Sequence, residues 1–310
     1  MTKILLALFI LAPNQVTAQF FNVRTSEIKT ETSVTSAANL KQEIFCLQKD
    51  GTLFKIDTSA KEVYKQPVTV HTLTELYSER DTLFGVAGKD SLYYFDGSDF
   101  RYHGRKKENR PLYSDTAYEV TSTCSGEWGG TVYFINRKTG KKFACSATCP
   151  IMINRTDTSY IVTASLAHLM GSTEILEIPS PDQMQVYNYK PSKRRVKYAG
   201  ENESTSRQGV KVLIDSMRVF TIGSYPIEGE ILHVVTNFDQ TYICRIRNGA
   251  FEVIQQLAES SFWSYRNQGW CSKDGVGWNF FLNNKDNGLI RIAGRSIQIY
   301  LFKYTKSIEE

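Results

Sequence analysis

Six times along the chain, a turn residue introduces a short run of aromatic, branched or aliphatic residues. A polar turn interrupts the run, and a second β-like stretch closes the unit. The copies are Gly51-TLFKIDTSAKEVY, Asp90-SLYYFDGSDFRYH, Gly130-TVYFINRKTGKKF, Ser172-TEILEIPSPDQMQVY, Gln240-TYICRIRNGAFEVI and Asn287-GLIRIAGRSIQIY. Before each lies a further apolar run: EIFCLQ, TLFGVAG, AYEVTSTC, YIVTASL, ILHVVTN and GWNFFLN. Period-2 alternation and enrichment in β-branched and aromatic residues make these strands rather than helices.

The spacing of the copies selects the architecture. Starting positions 51, 90, 130, 172, 240 and 287 put the copies 39, 40, 42, 68 and 47 residues apart. Four-stranded propeller blades run about 40–45 residues. The long interval exceeds one blade by roughly 25 residues on that scale, too few for another. It also holds a polar and basic stretch, residues 188–209, read as an inserted loop. The expected fold class is therefore all-β, a single six-bladed β-propeller of four-stranded antiparallel blades spanning residues 19–310. Packing small sheets flank to flank buries faces that one sheet cannot bury alone and leaves only short edges. Two β-sandwiches would give similar strands, but without a regular forty-residue unit. The stretch Phe20 to Leu40 leaves the start of the first blade undefined.

With this pattern the chain resembles secreted six-bladed propellers over nearly all of residues 19–310. The resemblance stops at architecture. Trp-Asp dipeptides are absent, and Glu127-Trp-Gly-Gly130 matches the double glycine of kelch repeats only once. Ser272-Lys-Asp274-Gly-Val-Gly277-Trp278 departs from a sialidase-type aspartate box by one glycine position. The resemblance implies that the face formed by second-to-third turns and blade-to-blade connections carries the binding site.

The N-terminus points to export. Lys3, the apolar run from Ile4 to Ala12, and small residues at Val16-Thr17-Ala18 compose a signal peptide over residues 1–18, with the mature chain starting at Gln19. A secreted or periplasmic location follows, with no transmembrane segment in the mature chain, because the apolar run is far below the roughly 20 residues a span needs. The formal charge of +5 is too mild to imply nucleic acid. Tyr and Phe, 17 of each against 8 Pro, describe a folded, aromatic-rich chain. Two sequons, Asn154-Arg-Thr156 and Asn202-Glu-Ser204, would matter in a eukaryotic secretory pathway.

The six cysteines, Cys46, Cys124, Cys145, Cys149, Cys244 and Cys271, permit disulfides in an exported protein. Cys46 and Cys244 sit in apolar strands and read as small core side chains. Cys124 ends the second strand of the third blade and Cys149 its fourth, so a Cys124–Cys149 bridge is geometrically open, with Cys145 as competitor. Neither a metal site nor a cofactor is expected. The pair Cys145/Cys149 lacks a matching pair or histidine, and Asn283-Asn-Lys-Asp-Asn287 reads as an Asx-rich turn before it reads as a calcium loop. His233, inside ILHVV, reads as a core histidine.

Sorting loops by face brings two basic runs together. Residues 101–110 supply Arg105, Lys106 and Lys107. Residues 190–197, read as a blade-to-blade connection, supply Lys193, Arg194 and Arg195. Second-to-third turns add Glu127, Trp128, His168, Asp239, Asn284 and Asp286. The expectation is a non-enzymatic binding or scaffold protein with a basic, aromatic-dotted rim, suited to an acidic glycan or protein partner. The competing expectation is a hydrolase or lyase acting on polysaccharide through an acid near the first strands, Glu75, Asp115 or Glu119. No nucleophile elbow, zinc-protease motif, phosphate loop or EF-hand loop appears.

Overall fold

A computed structural model describes residues 20–41, 43–57, 59–70, 72–79, 81–106, 111–168, 170–188, 200, 202–264, 269–271, 275–282 and 287–304. Residues 1–18, read as a signal peptide, Lys107, His71 and residues 189–199, with Lys193, Arg194 and Arg195, lie outside the described residues. So do Asn284, Asp286 and Asp274.

The fold is a six-bladed β-propeller, six antiparallel meanders in chain order. Blade 1 holds Val34–Leu40, Glu43–Gln48, Thr52–Ile56 and Glu62–Pro67; blade 2 holds Leu73–Glu79, Thr82–Ala87, Ser91–Phe95 and Phe100–Arg105. Blade 3 holds Tyr113–Ser114, Tyr118–Cys124, Gly130–Asn136 and Lys142–Ser146. Blade 4 is Pro150–Arg155, Tyr160–Leu166, Ser172–Ile178 and Lys211–Met217. Blade 5 is Phe220–Ile227, Glu230–Thr236, Thr241–Arg247 and Ala250–Ala258, and blade 6 is Gly269–Cys271, Gly277–Leu282, Asn287–Ala293 and Ser296–Tyr304. Blades 3, 4 and 5 form one compact unit and blades 6, 1 and 2 another.

Within each unit the period-2 pattern is buried on both flanks. In the second strand of blade 1, Ile44 and Cys46 pack with Trp278, Phe280 and Tyr300 of blade 6. The alternate residues Phe45 and Leu47 pack with Leu73, Leu83 and Phe100 of blade 2. A strand covered on both sides must read as an almost continuous apolar run, and EIFCLQ does. In the other unit, Tyr160 is the hub between blades 3 and 4. Its ring meets Phe134 edge-on at 5.1 Å and Tyr118 at 6.0 Å, while its hydroxyl donates to Asp115 Oδ2 at 2.7 Å. A buried tyrosine needs such a partner.

The first strands carry a device the repeats do not display. In blades 1, 2, 4 and 5 the register shifts early in the first strand, between Val34 and Ser36, Leu73 and Glu75, Pro150 and Met152, and Thr221 and Gly223. In blades 1 and 2 the extra residue is a threonine. Thr35 Oγ1 donates to Leu47 O at 3.2 Å and Thr74 Oγ1 to Val86 O at 3.3 Å. Such bulges bend a strand and raise its twist.

Two blades have a fifth strand. Asn22–Thr30 pairs with the last strand of blade 6, so the vague start of blade 1 resolves into an added strand plus Val34–Leu40. The second case corrects the placement of the insertion. The segment QMQVY does not continue blade 4; Gln185–Val186 pairs with the fourth strand of blade 3, opposite Ala144 and Phe143. The fourth strand of blade 4 is instead Lys211–Met217, beyond the insertion. Residues 188–209 thus interrupt blade 4 between its third and fourth strands and do not connect two blades. The physical reason is the open outer edge of blade 3, whose Lys142–Ser146 backbone recruits Gln185–Val186 as partner.

Candidate binding face

In the unit of blades 3 to 5, strand direction alternates, so second-to-third turns and fourth-strand ends emerge on one side. The blade 3 turn, Ser125 to Gly129, is a single 3-10 turn with Trp128 N donating to Ser125 O at 3.2 Å. The turn projects Trp128, which is 69% exposed. The blade 4 turn is closed by Gly171 N donating to His168 O at 2.9 Å. It is tied to the blade 3 turn by His168 Nδ1 and Glu127 Oε1, 2.7 Å apart. Sequence sorting placed Glu127, Trp128 and His168 on this face, and the geometry brings them together.

Apolar residues continue the path. Met170 is 50% exposed beside Gly171, and Met217, 59% exposed, stands opposite Ser172 at the end of the fourth strand. Arg218 N donates to Gly171 O at 3.0 Å. Gly171 has a φ of +68°, and a Cβ there would stand 1.8 Å from Phe220 Cε1, so the glycine seats that ring. Phe220 in turn meets Phe238 edge-on at 5.7 Å. Phe238 is 52% exposed at the tip of the blade 5 turn, where Asn237 Oδ1 accepts from Asp239 N and Gln240 N. Trp128, Met170, Met217 and Phe238 are four of the ten large apolar side chains exposed among the described residues, and contacts between residues beside them run across three blades. Sequence reasoning missed three of the four because it followed charge. The available signal was a methionine or phenylalanine in turns otherwise built of polar residues.

The second half of the insertion reaches this face. Gly200, φ +78°, lies against Trp128 O. The Glu203 carboxylate accepts from Thr131 Oγ1 at 2.6 Å, Ser125 Oγ at 2.7 Å and Thr123 Oγ1. Ser146 N donates to Ser206 O at 2.9 Å, and Arg207 pairs with Glu174. Tyr187, just before the insertion, is held elsewhere on blade 3: Lys142 Nζ stands 3.8 Å from the Tyr133 ring centroid and 5.1 Å from that of Tyr187. Burial holds the Lys142 ammonium below its ordinary pKa.

Cys124 and Cys149 form a disulfide with Cα atoms 4.3 Å apart, at the base of the Trp128 turn. Cys149 does not end the fourth strand of blade 3; it follows that strand, in the connection to blade 4. Cys145 is a free buried thiol, pushed up to about 12 by burial. Cys46 and Cys244 are likewise free and buried.

The remaining sequence candidates are held by other contacts. Lys106 Nζ stands 2.7 Å from Glu75 Oε2, and Arg105 Nε 3.8 Å from Asp90 Oδ2, both in the other unit. Glu119 faces Arg137 at 3.5 Å. Burial pushes the Asp115 carboxyl up, but hydrogen bonds from Tyr160 and the Tyr118 and Ala117 amides outweigh it and hold the group below its ordinary value. All three acids are therefore bound into local structure. His233 is buried in the core of blade 5, and the Asn154 sequon is spent inward, its Nδ2 donating to Ser224 O at 2.9 Å. Among the described residues, no three His, Cys, Asp or Glu gather as a metal set, and no helix is long and apolar enough to cross a membrane.

No protein-family model and no curated protein matches the chain. Solved structures similar to it include BamB from Moraxella catarrhalis, at 10% identity and TM-score 0.43, over 86% of this chain and 84% of that one. The soluble aldose sugar dehydrogenase from Escherichia coli, in its apo-form, is similar at 10% identity and TM-score 0.39, over 81% and 93%. The WD40 β-propeller domain of Doa1 is similar at 12% identity and TM-score 0.38, over 90% and 82%.

Proposed function

We propose that this chain is an exported, non-enzymatic scaffold that docks a partner protein on the turn face of blades 3 to 5. The observation that carries the reading is the set Trp128, Met170, Met217 and Phe238, exposed at second-to-third turns and a fourth-strand end on one side of blades 3 to 5. Monomeric soluble proteins rarely leave large apolar side chains contiguous, and such patches mark interaction sites. Tryptophan in particular is enriched among the residues that dominate binding energy. The basic-rim version, with an anionic glycan as partner, has less support, because Lys106 and Arg105 stand beside carboxylates.

Site-specific photocrosslinking tests docking. A benzophenone amino acid at position 128, in protein expressed through its native secretory route, is expected to give one discrete adduct. The Phe238→Ser variant should lose at least four-fifths of it, and a probe at Tyr102, exposed on blade 2, should give none. Equal adducts from both positions, or none from position 128, would refute the reading. Retention on heparin that weakens with salt would favour the glycan version instead. Export makes its own prediction: N-terminal sequencing of the mature protein should begin at Gln19, and a chain retaining Met1 would remove the compartment assignment.

A further inference from the structure

We propose that Met170 and Met217 form a paired oxidation site through which peroxide or hypohalous acid alters the turn face of blades 3 to 5. The consequence for docking rests on the function proposed above; the chemistry does not. The two thioethers come from segments nearly fifty residues apart in sequence, yet stand on either side of one backbone contact. Arg218 N, directly after Met217, donates to Gly171 O, directly after Met170, at 3.0 Å. The ladder fixes the arrangement, because Met217 opposes Ser172 in strand register. The β-sheet therefore sets Met217, and Met170 lies in the turn two residues before Ser172.

Exposure separates this pair from the other described methionines. Met170 and Met217 are 50% and 59% exposed, whereas Met152 and Met184 are 6% and 2%. Oxidants reach sulfur lone pairs only where solvent does. Met184 belongs to the packed core between blades 3 and 4. Met152 Sδ accepts a hydrogen bond from Ser224 N at 3.4 Å, deep between blades 4 and 5. The fold therefore offers two reactive thioethers on one face and keeps two protected ones as internal references.

The step balances with hydrogen peroxide as oxidant. A methionine sulfur attacks one peroxide oxygen, an S–O bond forms as the O–O bond breaks, and the second oxygen leaves as water after proton transfer. The thioether becomes a sulfoxide, a two-electron oxidation, and the peroxide is reduced. A flexible apolar side chain becomes polar, and two such changes would divide the apolar path between Trp128 and Phe238.

The experiment treats the folded, full-length mature protein with increasing hydrogen peroxide and maps oxidation by peptide mass spectrometry. Met170 and Met217 are expected to gain oxygen at least tenfold faster than Met152 and Met184. In parallel, oxidised protein carrying the position 128 probe should lose most of its adduct. One common rate for all four methionines would overturn the site. Selective oxidation with an undiminished adduct would overturn its effect on docking while leaving docking itself intact. Were the unoxidised protein to give no adduct, the docking proposal would fall, and the rate ratio would still decide the oxidation site.

Discussion

Lowering the pH from 7 to 4 should cost the folded chain about 3 kcal/mol through His233 alone. The imidazole lies between the second strand of blade 5 and its neighbours, and burial lowers its pKa to about 3. Ser224 Oγ and His233 Nδ1 share a hydrogen bond at 2.8 Å, Ser224 Oγ meets Thr163 Oγ1 at 2.7 Å, and the Phe251 ring stands edge-on at 5.7 Å. Cys244 is its strand partner. The native state thus holds the ring neutral, while an unfolded chain takes up a proton near pH 6.5. Below that value the unfolded state binds more protons, so this contribution is whole above pH 6.5 and drains away as pH falls toward 3. Urea denaturation of wild type and His233→Asn across this range isolates the effect, since acid-sensitive carboxylates are common to both. The variant should start less stable at pH 7 but lose about 3 kcal/mol less on acidification. Parallel stability curves would show that His233 does not carry the difference.

Gly130→Ala should destabilise the fold by about 3 kcal/mol or more, although it adds a single methyl group. A Cβ there would stand 2.6 Å from Ala147 O, 2.7 Å from Thr123 O and 2.9 Å from Cys149 N. All three atoms are backbone, so no side chain can swing aside. Gly130 pairs with Cys124 in the ladder, and its carbonyl accepts from Ala147 N at 3.0 Å, which draws three chain segments together beside the disulfide. Gly140→Ala is the control. Its φ of +69° makes alanine unfavourable, but nothing lies within 4 Å, so a cost of about 1 kcal/mol is expected. Equal losses in urea denaturation would contradict the crowding at Gly130.

These two sites show where sequence reading succeeds and where it stops. The third strands of all six blades stood out because the same run of aromatic, branched or aliphatic residues, opened by a turn residue, recurs along the chain. First strands were nearly invisible. Tyr113–Ser114 and Gly269–Cys271 are only two and three residues long, and bulges break the period in four others. The insertion misled for a related reason. QMQVY has the composition of a strand and does pair, but with an edge distant in sequence, and composition does not name a partner. At the face, Trp128 and His168 were legible from turn position alone. Met170, Met217 and Phe238 were not singled out, since adjacency across blades 4 and 5 follows from register, which no single segment encodes. Gly130 was noted as half of a double glycine, while its reason, a meeting of three backbones, is tertiary.

The added strand on blade 6 has a consequence for biogenesis. Asn22–Thr30 finds its sheet partner in Ser296–Tyr304, and Thr30 Oγ1 reaches Lys303 O across 273 positions of chain. Synthesis runs from the N-terminus, so Asn22–Thr30 has no sheet partner until Ser296–Tyr304 is made. Partial chains therefore leave an uncovered β edge waiting throughout synthesis, a state that invites mispairing. A chaperone that shields extended segments would be needed most for this protein at its two extremities.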